Sequence, residues 1–120
     1  MILPKRRKRP KMGVREPSQI RCAGHLAWVR GHDCAVKGLN DHVCRGVIEA
    51  AHVRTGTDGG TGIKPSDIWT LPLCSFAHWI QHRDGEAAFE REFDINLKEI
   101  AEGLARRSPA LRKMAKVLTR

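Results

Sequence analysis

The run from Ile48 to His82, IEAAHVRTGTDGGTGIKPSDIWTLPLCSFAHWIQH, constrains this chain more than any other part of it. Val47 to Val53 fits a strand, with apolar Val47, Ile48 and Val53 bounded by Gly46 and Gly56. Thr55 to Ser66 carries four glycines and a proline and reads as a loop. Ile68 to Leu73 fits a second strand, with Pro72 near its end. Cys74 to about Arg83 then reads as a helix, broken by Asp84-Gly85. His78 and His82, four residues apart, share one face of it. Few small folds place a histidine at a strand end, a loop, a second strand and an imidazole pair on the next helix.

On either side of this run the signals are simpler. Residues 25–36, HLAWVRGHDCAV, suggest a strand or short helix leading into a turn at Cys34. Glu86 to Phe93 places Ala87, Ala88 or Phe89, and Phe93 at helical spacing. Asn96 to Arg107 carries the stripe Leu97, Ile100, Ala101 and Leu104. Ser108 offers an N-cap with Pro109 at the first helical position, opening a basic helix to about Leu118. The expected fold is α+β. Residues 1–17 form a basic, flexible tail and residues 18–120 one domain, which is what 120 residues allow.

The formal charge of +9 is unevenly placed. Residues 1–15 carry seven Lys or Arg and residues 106–120 carry six, with no acid in either segment. Ends of this kind suit a phosphate backbone; the plainer reading is that they keep the chain soluble or address it. No apolar run approaches the ~20 residues of a membrane span, and no secretory h-region follows the basic start. A cytoplasmic protein, in a bacterial host, is expected.

The four cysteines read as metal ligands before disulfides. Cys34, Cys44 and Cys74 look like three ligands of a structural zinc, which wants a fourth. Cys22, His25 and His32 are candidates for it, and buried free thiols are the competing reading. His78 and His82 suit a divalent ion, Mg²⁺ or a transition metal; solvent-facing histidines, with Trp79 and Ile80 buried behind them, are the alternative. His52 suits a general base, because an unperturbed imidazole titrates near ~6.5. Arg54 and Lys64 offer cationic contacts to a phosphate in the glycine-rich loop, which serves equally as a crossover.

EAAHVR, the GTDGGTGIKPSD loop and LPLCSFAHWIQH together resemble the HNH (His-Me finger) endonucleases, and look most like small phage-encoded recombination enhancement function (Ref) nucleases. The resemblance implies a ββα-metal core with added C-terminal helices. It implies His52 as the base that deprotonates water, and His78 and His82 as holders of the catalytic ion. Family members often carry His or Asp beside the base, where this chain has Ala51. Many carry Cys or His three residues after the helix cysteine, where it has Ala77. The family's middle Asn falls at Trp69, leaving Asp67 or Thr70 to orient the base. The implied function is metal-dependent endonuclease or nickase activity on DNA, single- or double-stranded, of phage or prophage type. Arg6, Arg7, Lys8 and Arg9 would join Arg54 and Lys64 on the backbone, and a recombination protein is a candidate partner. The alternatives are a catalytically inactive, zinc-stabilised nucleic-acid-binding module and, less favoured, an RNA-directed nuclease.

Overall fold

Residues 19–60 and 62–118 are described by the structure, a computed structural model. The elements run α1 (Ala23–Arg30), a 3-10 turn (Leu39–Asp41), β1 (Ile48–His52), β2 (Thr70–Cys74), α2 (Ser75–Asp84), α3 (Glu86–Phe93), α4 (Leu97–Arg107) and α5 (Pro109–Leu118). The class is α+β, with five helices and one two-stranded sheet among the described residues. Arg6, Arg7, Lys8 and Arg9, and the whole basic segment 1–17, lie outside the described residues.

β1 and β2 pair antiparallel, with Ile48 opposite Cys74 and His52 opposite Thr70. All five residues of β2 are buried. Pro72 is tolerated there because its carbonyl faces away from β1, accepting from Ala35 N at 2.8 Å. Its missing N–H lies on that same outer edge and costs the ladder nothing. Leu71 and Leu73 meet Val36, Ala51, Val53, Phe89, Leu97, Ala101 and Leu104 in one apolar core.

The helices follow their local signals. α4 begins at Asn96, whose Oδ1 accepts from Glu99 N at 2.9 Å, and buries Leu97, Ala101 and Leu104. α5 begins at Pro109, with Ser108 Oγ accepting from Leu111 N at 3.3 Å. α3 buries Phe89 and Phe93. Residues 25–36 resolve into the end of a helix that opens at Ala23, followed by a turn.

The alternative reading of α2, with Trp79 and Ile80 as its buried face, does not hold for Trp79: the buried face is Ala77 and Gln81, with Ile80 half-buried, while Trp79 is 53% exposed. A helix of this length packed on a small ribbon has room for small side chains beneath it and pushes the indole outward. No helix among the described residues is long and apolar enough to cross a membrane.

Candidate active site and metal centre

His52 ends β1, and its ring is held from one side. Its Nε2–H donates to Asp67 Oδ1 at 3.0 Å, which leaves Nδ1 as the nitrogen carrying the lone pair. Asp67 is itself fixed: Oδ2 accepts from Cys22 N at 2.8 Å, and Arg21 lies 3.4 Å from Oδ1. Burial alone would push the Asp67 carboxyl up. The hydrogen bond from His52, the Cys22 N–H and the charges of His52 and Arg21 outweigh it and hold the group below the usual carboxylate range. For His52, burial dominates and lowers the imidazole below its ordinary value; Asp67 opposes this, and the cations Lys64 and Arg21 add to it. The ring is therefore neutral near pH 7, the state a base requires.

The backbone of His52 is held from the other side. Gln81 Nε2, on α2, donates to His52 O at 3.2 Å and lies 3.4 Å from Glu86 Oε2. Gln81 is buried and directly precedes His82, so the strand end carrying His52 is tied to the helix carrying the imidazole pair. Asp67, which the sequence offered as an orienting residue, is the side chain that hydrogen-bonds the His52 ring. The Trp69 carbonyl instead accepts from Val53 N at 2.8 Å, extending the ribbon past its last strand pair. Thr70 gives its hydroxyl to Asp67 O at 2.8 Å and bears on the base only through that turn.

His78 and His82 do converge. Their Nε2 atoms lie 3.1 Å apart. Two imidazole nitrogens on one ion at about 2.0–2.1 Å stand at about this separation. His78 Nδ1–H donates to Glu49 Oε1 at 2.7 Å, which fixes its tautomer and turns the Nε2 lone pair outward. The same hydrogen bond, foremost among its causes, lowers the Glu49 carboxyl. Strand alternation sends Glu49 and Ala51 to the α2 face of β1 and the His52 side chain to the opposite one. Ala51 is fully buried, so that position adds nothing to an ion's shell. The histidine pair and the His52–Asp67 pair are two hydrogen-bonded groups, linked by Gln81.

The glycine-rich loop is braced from within. Arg54 Nη1 donates to Gly60 O at 3.0 Å and Ile63 O at 2.9 Å, and Glu86 takes the backbone N–H groups of Arg54 and Thr55, each at 2.8 Å. Arg54 therefore shapes the loop. The Asp58 carboxylate accepts from Ser66 N at 2.8 Å and from the Ser66 hydroxyl. Arg21 donates to the carbonyls of Lys64 and Pro65, strapping the loop that presents Asp67. Lys64 stays exposed and close enough for its charge to act on His52.

Cys34, His42, Cys44 and Cys74 form a candidate metal centre, with one donor atom from each lying within 4.8 Å of all the others. The fourth member is His42, whose Nε2 is 3.4 Å from Cys74 Sγ; Cys22, His25 and His32 stand outside the cluster. Three thiols and an imidazole make a closed set able to hold a metal such as zinc. Gly46 makes the geometry accessible. Its φ is +81°, and an added Cβ would sit 2.7 Å from Ser75 Cβ, so only glycine lets the Cys44 segment run against the start of α2. Cys74 caps that helix, its Sγ accepting from Ala77 N at 3.3 Å. Burial pushes its thiol up, but the N–H groups of Ala77 and Arg45, with His42 and Cys44, bring it to about 7. Cys44 is pushed up to about 12 by burial and by its neighbours Cys34 and Cys74.

His42, Glu49 and Gln81 escaped sequence reasoning. His42 lies two residues before Cys44, a spacing that could have flagged it.

A family model described as Protein of unknown function (DUF968) matches residues 7–109 of the chain. The chain belongs to that family. The match spans every element of this DUF968 domain up to the first residue of α5, so the His52–Asp67 pair, the His78–His82 pair and the candidate metal centre lie inside it. No curated protein and no solved structure matches the chain.

Proposed function

We propose that this DUF968 protein is a metal-dependent endonuclease or nickase of the HNH class, hydrolysing DNA phosphodiester bonds, with β1, β2 and α2 as its ββα-metal core. The observation that carries the reading is that Gln81 ties the strand end bearing an oriented neutral base to the helix bearing an oriented ligand pair. His52 is fixed through Asp67 with Nδ1 free, and His78 is fixed through Glu49 with Nε2 turned toward that of His82. His52 Nδ1 takes a proton from the attacking water, and Asp67 stabilises the imidazolium that results. Gln81 holds the strand end so that the ring keeps its position. Lys64 and the exposed part of Arg21 attract the scissile phosphate. A divalent ion held by His78 and His82 would supply charge stabilisation to the transferring phosphoryl group. Cys34, His42, Cys44 and Cys74 would hold a structural zinc, which would staple the start of α2 to the segment before β1.

The test is to incubate wild-type and His52→Ala protein with supercoiled plasmid and with single-stranded DNA, across Mg²⁺, Mn²⁺ and Ni²⁺. Metal-dependent cleavage is expected, reduced about 100-fold or more in the variant. Cleavage that survives His52→Ala sinks the mechanism.

A second reading, a zinc-stabilised DNA-binding module without catalysis, draws on buried Ala51 and on Trp69 in place of an orienting amide. It predicts bound zinc and salt-sensitive DNA binding, with no cleavage under any of these ions.

A further inference from the structure

A row of aromatic rings runs from His42 to α2; its inner end packs against Phe93 of α3 and the core, and its outer end, Trp79, is exposed. His42 stacks on Phe76 with centroids 5.8 Å apart and planes 11° from parallel. Phe76 stacks on Trp79 at 6.0 Å and 17°. Two guanidinium groups lie against the row, Arg45 5.0 Å from the Phe76 centroid and Arg83 4.6 Å from that of Trp79. Trp79 is 53% exposed, and Val43 and Val47 beside the row are barer still, at 71% and 70%. Burying the indole would have stabilised the fold, so its exposure is informative. The foot of the row is His42, a member of the metal centre, so a bound ion would fix the row's first ring. Asp84 pairs with Arg83 at 2.7 Å, which leaves the Arg83 plane in place and offsets its charge. Arg45 makes no ion pair among the described residues.

Flat rings interleaved with guanidinium planes are the chemistry that receives unpaired bases, because every base has a π-face and its phosphate an anionic charge. A duplex keeps its bases stacked on one another and offers such a row nothing to stack on. Trp79 follows His78 directly in α2 and sits about 100° round the helix from it. A strand with a base on the exposed Trp79 therefore has its backbone near the histidine pair.

We propose that Trp79, with Phe76, Arg45 and Arg83, forms a base-stacking platform that gives this protein a preference for single-stranded DNA. Only the placement of the backbone at His78 and His82 rests on the nuclease reading; the platform stands on the ring geometry.

The experiment measures fluorescence anisotropy of labelled oligothymidylate of about 20 nucleotides and of a duplex of the same length. Full-chain His52→Ala protein serves as the background, so that cleavage does not intrude. Trp79→Ala and Trp79→Phe are compared within it, and circular dichroism checks the fold of each. Trp79→Ala is expected to weaken oligothymidylate binding by about fivefold or more and duplex binding by less than about twofold. Trp79→Phe is expected to retain most of the affinity. Three results would each overturn the platform: wild-type-like binding by folded Trp79→Ala, an equal loss on both DNAs, or no binding of oligothymidylate by the unsubstituted background. Failure of the nuclease reading looks different, as absence of cleavage by the wild-type chain with Trp79-dependent binding intact.

Discussion

At the scale of single residues, the chemistry is set by which nitrogen each imidazole leaves free. Asp67 takes the Nε2 proton of His52 and Glu49 takes the Nδ1 proton of His78, so the two rings present opposite atoms. The rate of cleavage is expected to rise with pH through the His52 titration, which burial places below the ordinary histidine value. Asp67→Asn removes the charge that favours the imidazolium, so this limb should move to lower pH. The plateau should fall by about tenfold or more as orientation is lost. A pH–rate profile of the two proteins checks both, and a limb that moves upward would contradict the assignment. Glu49→Gln is expected to weaken divalent-ion binding at the histidine pair by about 10- to 100-fold with little effect on folding, read by metal titration. His25 is a different case. It is fully buried, with Nδ1 2.8 Å from Ser108 Oγ and Nε2 unpartnered, and burial lowers its titration below the ordinary value. Well above about pH 6.5 neither the folded nor the unfolded imidazole is charged, and the residue adds no pH dependence. As pH falls below that, the unfolded chain takes a proton that the folded one resists, so stability drops. Urea midpoints between pH 7.5 and 5.5 should show this. The slope should be shallower in His25→Gln but not flat, because His52 acts in the same direction.

At the scale of elements, the metal centre joins pieces that local propensity leaves apart. Cys34 follows α1, His42 and Cys44 lie in the irregular approach to β1, and Cys74 ends β2 and caps α2. With structural zinc there, binding free energy becomes folding free energy. Zinc-loaded protein is expected to carry one tightly held zinc by native mass spectrometry. A strong chelator, or His42→Ala, should lower the melting temperature by about 10 °C or more. Unchanged melting after verified zinc removal would leave the cluster as packed thiols. The helices themselves were readable, because the capping residues Asn96 and Ser108 and the stripe Leu97, Ala101 and Leu104 are local signals. The burial of α2 was not, since its face is set by what the ribbon leaves room for.

At the scale of the whole molecule, charge and site are separated along the sequence. The basic residues gather in 1–15 and 106–120, while His52, His78 and His82 lie in a middle with nine basic and thirteen acidic residues, net −4. DNA affinity should therefore fall steeply with salt. Deleting residues 1–17 should lower the log–log salt slope by about 2 or more, because each phosphate left without its cation removes about 0.7–0.9 from it. Metal-dependent cleavage of short substrates should survive the deletion. An unchanged slope would assign the grip on the phosphate backbone to the folded domain.

Sequence by itself determined the order strand, loop, strand, helix, because apolar runs, glycines and caps act over a few residues. It also placed His78 and His82 on one face, since a helix repeats every 3.6 residues. The tertiary structure alone decided the partners. Asp67 reaches His52 across fifteen positions, Glu49 reaches His78 across twenty-nine, and His42 meets Cys74 across thirty-two. Pairings at such separations depend on how the chain closes in space, and no local pattern encodes that closure.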